Sequence, residues 1–201
     1  MRVRDVDILI VPGWGRNSDD HWQSRWARNL STARIVEQDD WDRPVRDEWV
    51  ARIVDAAAAA SRPVVIVAHS CGVAAVAHAA PELSRSRAIG AFLVAPPDLE
   101  SREPIEIFMK EAGPGLVFPE SFAPLPADPL PFPSKLIASS TDPYCTVERA
   151  QEFGLAWGSD VSIIAGAGHI NTASGHGPWP EGLLTFGLFL RSLGSIQGTF
   201  N

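Results

Sequence analysis

A serine, an aspartate and a histidine, each placed just after an apolar run, are the residues of this 201-residue chain best arranged to do chemistry. Ser70 follows the run at 64–68 and is flanked two residues either side by Ala68 and Gly72. Asp142 follows the run at 135–139, and His169 follows the run at 161–164 through Gly166-Ala167-Gly168. A serine hydroxyl is a weak nucleophile at neutral pH. It needs a histidine base, and that base needs a carboxylate to hold its tautomer and stabilise its cation. The order serine, acid, histidine, with the two partners on loops after later strands, suits acyl transfer. The tetrahedral oxyanion also needs donors. The N–H of Cys71, next after the nucleophile, is one candidate, and the N–H of Trp14, in the Gly13-Trp14-Gly15 loop after the first apolar run, is the other.

Rival residues exist for each role. Asp98 also follows an apolar run and is the alternative acid. Asp160 starts a run and so falls on the wrong edge. His176, between Gly175 and Gly177, is the alternative base. His69 is adjacent to Ser70 and cannot readily fold back onto that hydroxyl, so it reads as packing or hydrogen-bonding beneath the site. His78 reads as a packed or surface residue of a helix. His21 could reach the active-site edge, but a histidine at a helix start more often satisfies local backbone or packs. Cys71 reads as a small packed residue whose side chain is not at the apex, and Cys145 either lines the site or is buried.

These residues need a scaffold that brings strand ends together. The run at 64–68 is β-branched with no polar alternation, as in a strand of a parallel sheet covered on both faces. The small residues after Ser70 suit a tightly packed helix, which turns its positive end toward the site. A sharp strand-to-helix turn leaves room only for small residues at 68 and 72. Strands are expected at 6–11, 34–37, 64–68, 88–94, 135–139 and 161–164. Helices are expected from a Ser18 or Asp19 cap to about 29, then at 45–60, from 71 to about 80, at 147–157 and at 180–193. Trp22 and Trp26 at i, i+4, and Trp49 with Ile53, mark buried helix faces, and Trp41 reads as a loop anchor. Alternating strands and helices predict one α/β domain over 1–201 with a doubly wound, mostly parallel sheet and helices on both faces. The proline-rich segment 98–133, with one short helix at 105–112, reads as an ordered excursion near the active-site edge and not as a second domain. Residues 194–201 read as a frayed tail.

Composition narrows the function classes. The length and the 45% hydrophobic and 20% charged content fit a soluble globular domain. The net charge of −7, with arginines dispersed among acids, argues against nucleic acid as a partner. No apolar run reaches the length of a membrane span, and no signal-peptide pattern opens the chain. Two cysteines make neither a disulfide framework nor a metal site, so the cytoplasm is the expected compartment and no cofactor or metal is expected.

One set of motifs runs through Val11-Pro12-Gly13-Trp14-Gly15, His21-Trp22-Gln23-Ser24-Arg25-Trp26, and Gln38-Asp39-Asp40-Trp41-Asp42-Arg43-Pro44 with Trp49. It continues in His69-Ser70-Cys71-Gly72, Ser139-Ser140-Thr141-Asp142-Pro143-Tyr144 and Gly168-His169-Ile170-Asn171. On these motifs the chain resembles the small serine hydrolases of the YdeN and retinoblastoma-binding-protein type. It departs from the family at Ala68, where glycine is usual, and in the proline content of 98–133. The resemblance implies a compact α/β-hydrolase domain with a minimal lid, a triad on Ser70, Asp142 and His169, and hydrolysis of a small-molecule acyl substrate, an ester or related acyl compound. The competing class is a non-catalytic interaction protein on the same scaffold, with Phe118, Phe122 and Phe132 as contact residues. A peptidase or acyltransferase on the same site is a third reading.

Overall fold

The computed structural model describes residues 1–197, with side chains through residue 195. Its frame is a six-stranded sheet: β1 (Asp7–Val11), β2 (Ala33–Ile35), β3 (Val64–His69), β4 (Ala88–Val94), β5 (Ser134–Ser139) and β6 (Asp160–Ile164). The spatial order is β2-β1-β3-β4-β5-β6 and every pairing is parallel. The helices are α1 (Trp22–Asn29), α2 (Arg46–Ala58), α3 (Cys71–Leu83), α4 (Arg102–Glu111), α5 (Val147–Trp157) and α6 (Pro180–Gln197).

Strand periodicity sorts the core into two layers. Leu9, Val11, Ile66, Ala68, Leu93 and Ala138 face α2, α3 and α5. Their neighbours Ile8, Ile10, Val65, Val67, Phe92 and Ile137 face α1 and α6. Successive side chains of a strand point to opposite faces, so a solid apolar run marks a strand covered twice. β1 is followed by β2 on one side of it, and the chain then returns to β3 on its other side. Right-handed crossovers in opposite directions put their helices on opposite faces, which is why α1 and α2 cover different layers. That reversal opens a crevice at the carboxyl ends of β1 and β3.

Three expectations need correction. α1 is capped by His21, whose Nδ1 accepts from the Gln23 N–H, and not by Ser18 or Asp19. Helix propensity alone does not distinguish these starts, whereas burial of His21 and Trp22 does. The closing helix does not stop at Leu193 but runs through Gln197, and Gly194 within it packs against Met1 so closely that a Cβ there would lie 2.4 Å from the Met1 nitrogen. The part of the expected tail at 198–201 lies outside the described residues. Within the 98–133 excursion, α4 begins at Arg102, three residues before the expected start, and a further short 3-10 turn covers Glu120–Phe122. The excursion is tied down along its length: Val117 N–H donates to the Asp42 carbonyl, His78 Nε2 to the Phe122 carbonyl at 2.8 Å and Trp157 Nε1 to the Pro126 carbonyl at 2.7 Å.

The turn between β3 and α3 is the tightest point of the frame. A Cβ on Gly72 would stand 2.4 Å from the Val11 carbonyl oxygen and 2.5 Å from that of Pro12. Both are backbone atoms of β1 and its loop, which cannot yield separately. Gly72→Ala is expected to destabilise the fold by more than about 2 kcal/mol, read as a lowered midpoint of urea unfolding against the parent protein. An unchanged midpoint would mean that the approach of α3 to β1 is looser than described.

Candidate active site

Ser70 is the N-cap of α3 and sits at φ 55, ψ −130, a conformation L-residues rarely adopt. Its N–H donates to the Val94 carbonyl, and its carbonyl accepts from Val73, so the strained turn is held on both sides. The loop after β1 presses on it: a Cβ on Gly13 would lie 2.8 Å from the Ser70 Cβ. Arg16, Ala95 and Ile170 also have positive φ, on the loops that follow β1, β4 and β6. Strain of this kind persists only where the surroundings over-determine it, and it clusters at functional sites.

His169 reaches Ser70 Oγ with its Nε2 at 2.9 Å. Its Nδ1 lies 2.9 and 3.0 Å from the two carboxylate oxygens of Asp142. Asp142 is itself oriented, since its Oδ1 accepts from the Tyr144 N–H at 3.0 Å. Three hydroxyls of the β5 loop hold the glycine-containing segment that delivers His169. Ser140 Oγ accepts from Gly166 N–H, Ser139 Oγ from Ala167 N–H and Thr141 Oγ1 from Gly168 N–H, each at 3.0 Å. Gly166 and Gly168 both have positive φ, which is the reason the approach to the histidine contains glycine.

Burial pushes the Cys71 thiol up to about 12, with hydrogen bonding to the Trp14 backbone, Ser70 and its own backbone pulling the other way. Trp14, on the loop after β1, lines the same cavity as Ser70, and Cys71 follows Ser70 at the start of α3. The thiol stays protonated and inert there.

The rival residues are engaged elsewhere. Asp98 is buried, accepts through Oδ1 from the Glu100 and Ser101 N–H groups and stands near Arg149, so it organises the start of α4. His176 faces Ser174 and Trp179. His78 anchors Phe122, Asp160 pairs with Lys135, and buried Cys145 is not among the residues lining the cavity at Ser70. His69 Nε2 donates to the His169 carbonyl at 2.9 Å, and so fixes the backbone that carries the His169 ring.

That cavity has a volume of about 330 Å³. Trp14, Phe108, Leu116 and Tyr144 form an apolar wall, with the Trp14 and Phe108 rings stacked at 4.8 Å and Phe108 and Tyr144 centred 4.6 Å apart. Arg16, Asn17, Ser18, His21, Glu111, Asn171 and Thr172 add polar lining. Three contributors were missed in the sequence. Tyr144 edges the His169 ring at 4.6 Å and donates to Glu111. Phe108 comes from the excursion. Gln23 is fully buried and donates through Nε2 to the Val11 and Val67 carbonyls, joining the ends of β1 and β3. Its place in the His21-Trp22-Gln23 motif was the available signal, because a glutamine between two buried aromatic helix positions is costly unless hydrogen-bonded.

Among the described residues no group of acidic, histidine or cysteine side chains is arranged to hold a metal, and no helix is long and apolar enough to cross a membrane.

A family model described as serine hydrolase matches residues 8–187. Many solved structures are similar. A YdeN-like hydrolase of Pectobacterium atrosepticum is 30% identical, with 94% of this chain and 93% of that one covered and a TM-score of 0.77. An esterase of Thermogutta terrifontis, solved with propionate bound, is 18% identical over 94% of this chain and 84% of its own, with a TM-score of 0.63. The type II thioesterase YbtT of the yersiniabactin pathway is 16% identical over 82% of this chain and 86% of its own, with a TM-score of 0.62. The last two likenesses speak to the fold alone. No curated protein is significantly similar in sequence.

The histidines beside the site make stability pH-dependent. Burial lowers His21 from 6.5 to about 3, helped by the neighbouring His169 and His176, and burial also holds His69 well below its ordinary value. Both are neutral in the folded protein and charge on unfolding as pH falls below 6.5, so their contribution is full above that value and declines beneath it. At pH 5 His21 alone is expected to cost about 2 kcal/mol relative to neutral pH. Urea unfolding of parent protein and His21→Asn at pH 7 and 5 should show the variant losing about 2 kcal/mol less; equal losses would contradict the neutral state of His21.

Proposed function

The chain belongs to the serine hydrolase family as a small hydrolase of the YdeN type, and from that premise we propose that it is an esterase of small acyl groups. Ser70 attacks the ester carbonyl while His169 Nε2 takes its proton. His169 then passes that proton to the leaving alcohol oxygen, and an acyl-Ser70 ester remains. Water, deprotonated by the same nitrogen, attacks the acyl carbonyl; the bond to Ser70 Oγ breaks as His169 Nε2 returns the proton to that oxygen, and the carboxylic acid is released. Asp142 holds the His169 tautomer with Nδ1 protonated and stabilises the imidazolium as it forms. The Cys71 and Trp14 N–H groups receive the oxyanion, where donors aimed in advance at developing charge act most strongly. Neither a metal nor a cofactor enters these steps.

The observation that carries this reading is the continuous line from Ser70 Oγ through both ring nitrogens of His169 to Asp142, with each contact at 2.9–3.0 Å. A protein that only binds partners has no use for a strained serine aligned in this way. The apolar wall suits the acyl chain, and a cavity of about 330 Å³ suits a short one. Two buried, unpaired cysteines suit a reducing compartment such as the cytoplasm.

A fluorophosphonate probe is expected to add one adduct to the folded protein by intact mass and none to Ser70→Ala. Against short p-nitrophenyl esters, Asp142→Asn should lower kcat by about 10⁴ while the circular dichroism spectrum is retained, and Asp98→Asn should stay within about tenfold of the parent. Absence of the adduct, or full activity in Asp142→Asn, would overturn the assignment.

A further inference from the structure

The closing helix α6 buries one side and carries a patterned stripe on the other. Phe186, Leu190 and Leu193 are buried in the layer that holds Phe92 and Ile137. On the opposite side Glu181, Leu184, Leu188 and Arg191 follow one another at intervals of three, four and three residues, which keeps them on one face of a helix. All four are exposed, and Leu184 and Leu188 keep 67% and 55% of their surface. A lone exposed leucine, such as Leu155 on α5, needs no explanation. Two leucines one turn apart, set between an acid and a base, are a different case, because the outer face of an amphipathic helix is ordinarily polar. The flank of the stripe is open as well: a Cβ on Gly187 would meet nothing within 4 Å. Among the described residues neither Glu181 nor Arg191 enters an ion pair.

The order of these four residues is complementary to itself. Two copies of α6 placed antiparallel about a two-fold axis at the level of position 186 set Leu184 of one copy opposite Leu188 of the other, and Glu181 opposite Arg191. With a rise of about 1.5 Å per residue, the leucines lie about 3 Å and the charged residues about 7.5 Å along the helix on either side of that axis. Each pair forms twice, as a contact between identical surfaces requires. A parallel arrangement would set Glu181 on Glu181 and Arg191 on Arg191, which like charge opposes. The chain carries a net charge of −7, so two copies repel overall and a shared surface must bring opposite charges together locally. We propose that the outer face of α6 is a homodimer surface, packed antiparallel against a second copy of this chain through Leu184 and Leu188 and held in register by Glu181 and Arg191. One helix from each copy makes a small contact, so dimer and monomer exchange in the micromolar range. No residue of α6 lines the cavity at Ser70, so dimerisation and ester hydrolysis can be tested apart.

Sedimentation velocity over about 1–200 µM protein reads the association, at low salt because exposed ion pairs are screened as salt rises. The parent is expected to be monomeric at the low end and largely dimeric at the high end. Leu184→Gln/Leu188→Gln keeps helix propensity and removes the apolar area. It is expected to stay monomeric throughout, with an unchanged circular dichroism spectrum. Glu181→Arg and Arg191→Glu should each weaken the dimer by about tenfold, and the two single variants mixed one to one should associate about as tightly as the parent. Glu181→Arg/Arg191→Glu, in which both pairs are reversed, should do the same. Glu181→Arg is the discriminating change. It lowers the net negative charge of the chain, so a dimer built elsewhere would be strengthened or unmoved by it. Weakening of the helix by a charge at the wrong end of its dipole does not account for recovery in the double variant, which carries both such changes. A parent that stays monomeric at about 200 µM would overturn the proposal. So would a dimer that survives Leu184→Gln/Leu188→Gln, which puts the contact on another surface, or one unmoved by either charge change, which refutes the antiparallel register.

Discussion

Everything at the site depends on how closely α3 and the β1 loop approach each other around Ser70. Gly72 leaves no room for a methyl group between its Cα and the carbonyls of Val11 and Pro12, and Gly13 leaves none beside the Ser70 Cβ. This approach lifts the hydroxyl clear of the sheet in a left-handed turn. A methyl group at either glycine would therefore disturb the turn that carries Ser70. The Ala68 found here in place of glycine is tolerated because its side chain points into the layer shared with α2 and α3 and not toward β1.

The rest of the site is held by polar groups that sheet packing leaves free at the carboxyl ends of the strands. Three hydroxyls of the β5 loop take the N–H groups before His169, Gln23 ties β1 to β3, and His69 takes the His169 carbonyl. Buried backbone groups at such loop ends must be satisfied somewhere. Satisfying them with side chains of neighbouring loops converts separate loops into one rigid rim. Aromatic rings from the β1 loop, α4 and the β5 loop line the cavity together with polar residues of the His21 and Asn171 segments.

Much of this was legible in the chain itself. The doubly covered strands were visible as solid apolar runs, and their order with the helices gave the α/β class and the strand ends on which Ser70, Asp142 and His169 stand. What was not legible followed from contacts between distant segments. The start of α1 was misjudged because Ser18 and Asp19 are good local caps, whereas burial of Trp22 and its bond to Ile170, 148 residues away, fixes the start at His21. The end of α6 was placed too early because residues from 194 read as a frayed tail, yet Gly194 continues the helix in close contact with Met1.

The sequence by itself determined which residues stand at the ends of strands, because strand and helix periods are local properties of the pattern of apolar residues. It also left candidate acids and bases in competition, since chain order does not measure distance. Only the tertiary structure shows which carboxylate and which imidazole come together at Ser70. One carboxylate meets Nδ1 of the imidazole that reaches Ser70, while the other is taken up by the N–H groups before α4. The tertiary structure likewise places His21, a cap in local terms, among the residues that line the cavity. The physical reason is the same in each case: hydrogen bonds act over about 3 Å, and which groups come that close depends on the packing of layers that are far apart in the chain.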